Sequence, residues 1–87
     1  MNTFILETKS QIKKLHPKIQ DVEVRVDRGA DGTWISKIHV RAKRKILHAE
    51  KRDSSFMRSL DRCQDAIIHQ IQKMKDKMTR VRHRRAI

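Results

Sequence analysis

The residues best equipped for chemistry in this chain are cations, and they are bunched. Between Lys73 and Arg85 stand Lys73, Lys75, Lys77, Arg80, Arg82, Arg84 and Arg85, opposed by Asp76 alone. A second bunch, Lys37, Arg41, Lys43, Arg44 and Lys45, lies in the middle of the chain. Lysine and arginine on a rigid frame neutralise phosphates and release counterions. Arginine adds two-pronged phosphate contacts and stacking on unpaired bases. The chemistry on offer is recognition of a polyphosphate, and RNA is the expected ligand.

The composition agrees. Twenty-two Lys and Arg stand against 10 Asp and Glu, a net charge of +12. Such an excess repels itself and implies an acidic partner, either nucleic acid or an anionic membrane. No apolar run approaches the ~20 residues that span a bilayer, so no membrane partner is expected. Phe4, Ile5 and Leu6 precede the first lysines, the reverse of a signal peptide's order. The single cysteine, Cys63, permits no intrachain disulfide and fits a reducing compartment. A cytoplasmic location is expected.

Other chemistry is thin. His16, His39, His48, His69 and His83 are scattered, and none has a ligand partner at a metal-binding spacing. There is no glycine-rich phosphate loop and no nucleophile–base arrangement. Asp61 and Asp65 sit four apart near Arg58, Arg62 and His69, which reads as surface ion pairing. Neither an enzyme, a cofactor, a metal nor a small-molecule substrate is expected. With Phe4, Trp34 and Phe56 as its only aromatics besides histidine, the chain lacks the stacking platform of sequence-specific single-strand readers. Recognition should be by shape and backbone, although His39 sits where it could touch RNA.

The elements that must position the cations follow from periodicity. Ile5, Thr8, Ile12 and Leu15 recur three and four apart over residues 3–15, which predicts a helix ended by Pro17. Lys9, Lys13 and Lys14 fall off that stripe and read as its solvated face. From Asp21 to Asp27, Val22, Val24 and Val26 alternate with Glu23 and Arg25, a half-buried strand. Arg28 to Gly32 holds both glycines and reads as a hairpin turn. A second strand is expected from Thr33 to about Ala42. Trp34, Ser36, Ile38, Val40 and Ala42 would lie on its core face, with a mostly cationic opposite face. A third strand is expected from about Lys45 to Lys51, with Leu47 and Ala49 inward. The tip between them, Arg41 to Lys45, has four positive side chains and no glycine, although glycine is usual there.

Asp53, Ser54 or Ser55 can cap a last helix. Its stripe is Phe56, Leu60, Cys63, Ile67, Ile71, Met74 and Met78, and it should end near Thr79 or Arg80. Cys63 on that stripe reads as a small buried hydrophobe. The expected fold is α+β, in the order α-β-β-β-α, an antiparallel sheet with two helices on one face. Residues 1–80 form a single domain and residues 81–87 a frayed basic tail.

Ile46 to Lys77 resembles the ribosome hibernation-promoting factor and ribosome-associated inhibitor A family. The strand end Leu47-His48-Ala49-Glu50, the helix start Phe56-Met57-Arg58-Ser59-Leu60-Asp61 and the run Asp65 to Lys77 hold that family's register without gaps. That run includes Gln70, Lys73, Lys75 and Lys77. Leu15 to Val26 is similar to the family's junction of first helix and second strand. The family's usual first strand has almost no counterpart here. Ala66 stands for a family lysine and Met57 for a tyrosine. No separate C-terminal dimerisation domain follows, so the chain looks like a short, single-domain member. The resemblance implies a β-α-β-β-β-α frame less its first strand. It also implies binding to 16S rRNA of the small ribosomal subunit, at the decoding region. The consequence would be occlusion of the mRNA and tRNA channel and silencing of idle ribosomes. Two other readings stand beside it. One is a general double-stranded RNA-binding domain, which shares the element order but carries a lysine cluster where Ser54 to Arg58 stand here. The other is a basic module that docks on an acidic protein.

Overall fold

In a computed structural model the chain forms α1 (Asn2–Lys13), β1 (Ile19–Arg28), β2 (Trp34–Ala42), β3 (Lys45–Asp53) and α2 (Phe56–Ala86). The structure describes the backbone of residues 2–43 and 45–86, and the side chains of residues 3–43 and 45–75. The fold is the α+β arrangement expected, α-β-β-β-α.

The strands lie in the order β1-β2-β3, with both pairs antiparallel. Alternation places Val22, Ile38, Val40, Leu47 and Ala49 on one face, where all are buried. The first hairpin closes through the Gly29 N–H donating to the Thr33 carbonyl at 2.7 Å. Gly32 takes φ of 84°, a left-handed conformation that glycine adopts without a Cβ clash. Asp31 Oδ1 accepts from the Thr33 N–H at 3.1 Å and from its hydroxyl at 2.6 Å. These two bonds, the hydroxyl first, hold the Asp31 carboxyl below its ordinary pKa. The second hairpin pairs Ala42 with Lys45, so its turn is two residues long, Lys43 and Arg44. Arg44 lies outside the described residues.

Ser55 caps α2: its Oγ accepts the Arg58 N–H at 3.4 Å, and its carbonyl accepts the Ser59 N–H at 3.0 Å. Asp53 braces the cap. Its carboxylate accepts the Ser55 N–H at 3.1 Å and reaches Arg62 at 3.5 Å. The backbone N–H first, and Arg62 after it, keep the Asp53 carboxyl below its usual range. From that cap α2 runs 31 residues. It passes the end expected near Thr79 or Arg80 and its backbone continues to Ala86. No glycine or proline follows Ser55, so nothing in the chain interrupts helical hydrogen bonding. Ile87 and the side chain of Met78 lie outside the described residues.

Both helices cover the same face of the sheet. Ile12 of α1 meets Ile19 and Val22, while Cys63, Ile67, Ile71 and Met74 of α2 close over β2 and β3 in one cluster. Trp34 belongs to this side, as expected. Phe56 meets it edge-to-face with centroids 5.4 Å apart, and the Arg28 guanidinium lies 4.9 Å over its ring. Two hydroxyls are sealed inside. Ser36 and Ser59 are fully buried with Oγ atoms 2.8 Å apart, and Ser59 donates to the Phe56 carbonyl at 2.9 Å. The Cys63 thiol points at the Ala49 and Ser36 carbonyls, at 3.3 and 3.4 Å. Burial pushes its pKa up to about 11, so it is the inert core thiol expected.

Candidate nucleic-acid interface

The path of α2 decides where the cations go. Phe56 packs on Trp34, Ser59 bonds Ser36, Cys63 reaches Ala49, and Gln70 Nε2 donates to the His48 carbonyl at 2.8 Å. The helix therefore runs antiparallel to β3, towards the second hairpin. From His48 to Lys45 the strand advances about 10 Å, at ~3.3 Å per residue. From Gln70 the helix covers the same distance in about seven residues, at 1.5 Å each. Helix position 77 thus comes about level with Lys45, where the strand meets the turn. The turns beyond it continue past the sheet, in a molecule 54 Å long and 20 by 18 Å across.

At the tip, Arg41 and Lys45 line one shallow hollow of about 440 Å³ with Gln20, Ala42 and Ile46. Lys43 is exposed in the turn, and Lys73 is exposed on the helix. Arg44, Lys77, Arg80, Arg82, Arg84 and Arg85 belong to the same two segments by sequence. Their side chains lie outside the described residues.

A third group of cations lies at the hairpin-tip end of the sheet. Ile19 pairs with Ala42, so the junction between α1 and β1 sits at the hairpin-tip end of the sheet. That junction carries Lys13, Lys14 and Lys18, all exposed. Sequence reasoning read Lys13 and Lys14 as a solvated face and passed over Lys18. The signal available was the pairing register itself, since the first residues of β1 must face the last of β2.

His16 reports the field there. Its Nδ1 accepts the Lys18 backbone N–H at 3.1 Å, which requires that nitrogen to be unprotonated. Loss of hydration, then the positive charges of Lys75 and Lys18, lower its pKa from the ordinary 6.5. Lys75 therefore lies within electrostatic reach of the α1–β1 junction. Lys73 lies one turn beyond Gln70, which bonds β3.

Residues 4–79 match the model described as sigma 54 modulation protein / S30EA ribosomal protein. The chain belongs to that family. Its members are ribosome-associated modulation proteins, and it is not a known enzyme family. A comparison with curated proteins gives no match.

Within this family member, Lys37 stands apart from the other cations. It shares the outer face of the sheet with Arg41 but lies four residues farther from the turn, and Glu50 is 3.6 Å from it. Read along β2 alone, that face is cationic. Read across the sheet, it is balanced: Asp21, Glu23, Asp27 and Glu50 share it with Arg25, Lys37, Arg41 and Arg52. Arg25 is itself 3.7 Å from Glu23. The net positive charge of the chain is therefore carried by its rims, its helices and the hairpin-tip end. Among the described residues no helix is long and apolar enough to cross a membrane.

Proposed function

We propose that this chain is a ribosome hibernation factor that binds 16S rRNA of the small subunit in the decoding region. There it blocks the mRNA and tRNA channel as a basic wedge. The observation that carries this reading is the approach of three cationic segments to one end of a narrow molecule. They are the α1–β1 junction, the β2–β3 turn and the far half of α2. An elongated body with its charge at one end suits entry into an RNA-walled channel, where phosphates lie on several sides. Lys43, Lys45, Arg41, Lys73, Lys75 and Lys77 contact phosphate in this reading, with Arg44, Arg80, Arg82, Arg84 and Arg85 extending the contact. Lys37 is the weakest of the set, because Glu50 already engages it. The mechanism is steric and needs no cofactor, and it operates in the cytoplasm.

Sedimentation with purified ribosomes tests the proposal. The protein should travel with small subunits and whole ribosomes at low salt, and translation in a purified system should stop. Changing Lys73, Lys75 and Lys77 together to Glu should release it while leaving the helical circular dichroism intact. Failure to co-sediment, or unchanged binding by the triple variant, refutes the reading.

A further inference from the structure

We propose that His39 and His48 form a two-nitrogen site for a divalent late transition metal, of the Cu2+, Ni2+ and Zn2+ class. The two are direct partners in the β2–β3 register. Their rings face each other with centroids 5.9 Å apart and an angle of 23° between planes, and both are exposed on the outer face. Cβ atoms of directly opposed residues on an antiparallel pair lie ~5 Å apart. Imidazole nitrogens bind zinc at about 2.0–2.1 Å. Turning two exposed rings about their side-chain bonds brings one nitrogen of each to a shared ion without moving the backbone. The backbone is held on both sides. His39 pairs with Glu23 of β1 as well as with His48, and the His48 carbonyl is tied to Gln70 at 2.8 Å.

Electrostatics favour this place over the rest of the surface. A chain of net charge +12 repels cations nearly everywhere. The outer sheet face carries equal numbers of acids and bases. Glu23 lies across from His39, and Glu50 is two residues along β3 from His48. Of the nearby cations, Arg25 is engaged by Glu23 at 3.7 Å and Lys37 by Glu50 at 3.6 Å, and Arg41 lies one row closer to the turn. Among the described residues no three ligand groups gather. The protein therefore supplies two nitrogens and water completes the ion's shell. A site of that kind follows the general order of affinities, with Cu2+ and Ni2+ ahead of Mn2+ or Fe2+. An occupied site would cross-link β2 to β3 three residue pairs before the pair that closes the basic turn, and stiffen the hairpin by mass action.

The test uses the full chain and NiCl2, followed by the ring resonances of all five histidines and by calorimetric titration. Paramagnetic Ni2+ at substoichiometric levels should broaden the His39 and His48 rings together, ahead of His16, His69 and His83. His39→Asn and His48→Asn should each weaken binding at least about tenfold, since even outer-shell partners of a metal are worth 10–100-fold. His69→Asn should bind Ni2+ as the parent does. Broadening of one ring alone or of another histidine first overturns the proposal, as does undiminished affinity in either strand variant. The resonance experiment needs no substitution, so its outcome does not depend on how the variants fold.

Discussion

Gln70 Nε2 donates to the backbone carbonyl of His48 at 2.8 Å, and this one bond levels the C-terminal half of α2 with the second hairpin. It also satisfies a carbonyl of β3, an outer strand of the sheet. The bond ties the middle of α2 to the strand that leads back to the second hairpin.

Charge reversal at that end should be far more damaging than reversal on the outer sheet face. Lys45→Glu combined with Lys73→Glu is expected to weaken binding to small subunits and to flatten its dependence on salt. The log–log slope should fall by roughly one for each phosphate that is no longer neutralised. Arg25→Glu makes the same change of charge per residue on the balanced face and should bind near the parental level. Filter binding or sedimentation at several salt concentrations separates the two outcomes.

His16 supplies a titration test. Its folded pKa is lowered by loss of hydration, with Lys75 and Lys18 adding to it. On acidification the unfolded chain takes up this proton first. The contribution of His16 to stability is intact above about pH 6.5 and is lost as pH falls through the depressed folded value. A polyanion bound at this end would neutralise the lysine field and raise the midpoint. The His16 ring resonance should titrate below 6.5 in the free protein and shift upwards with an RNA fragment bound. An unmoved midpoint would place the RNA elsewhere.

The parts of this fold that could be read in the sequence are those set by local pattern. Val22, Val24 and Val26 announce a strand, the glycines of Gly29 to Gly32 a turn, and Phe56 to Met74 a buried helical stripe. Ser55 is among the caps the sequence offers, and it is the one used. What could not be read depends on pairing between segments. Lys37, His39 and Arg41 look like a cationic strip because the acids beside them, Asp21, Glu23 and Glu50, come from other strands. His39 and His48 look unrelated along the chain, yet they are mirror positions about a two-residue turn. The end of α2 is hard to place for a different reason. The apolar stripe gives out near Met78, whereas the backbone needs only the absence of a breaker to continue to Ala86.

The buried hydroxyl pair should respond unequally to deletion of its two members. Ser59→Ala removes the partner 2.8 Å from Ser36 Oγ and strands that hydroxyl in the core. A loss of about 1–3 kcal/mol is expected for a buried group left unsatisfied. Ser36→Ala is milder, because Ser59 keeps its bond to the Phe56 carbonyl at 2.9 Å. The double variant should be destabilised by less than the sum of the two, since no hydroxyl is then stranded. Urea unfolding of the four proteins checks this. Strict additivity would show that the hydroxyls are not coupled.

Cys63 provides a probe of opening. Its thiol is fully buried against the Ala49 and Ser36 carbonyls, and burial raises its pKa to about 11. At pH 8 only about one molecule in a thousand carries the thiolate, the species that reacts with disulfide reagents. Labelling of the native protein should therefore be slow and should follow the population of opened molecules. Ile67→Val thins the same core beside Cys63 without exposing the thiol. It is expected to cost about 0.5–1.5 kcal/mol, which enlarges the open population roughly two- to tenfold. Labelling should accelerate by the same factor, and by that factor only. Rapid labelling of the parent protein would mean that the α2–sheet contact opens locally. The helix could not then hold its cations level with the hairpin as the proposed RNA contact requires.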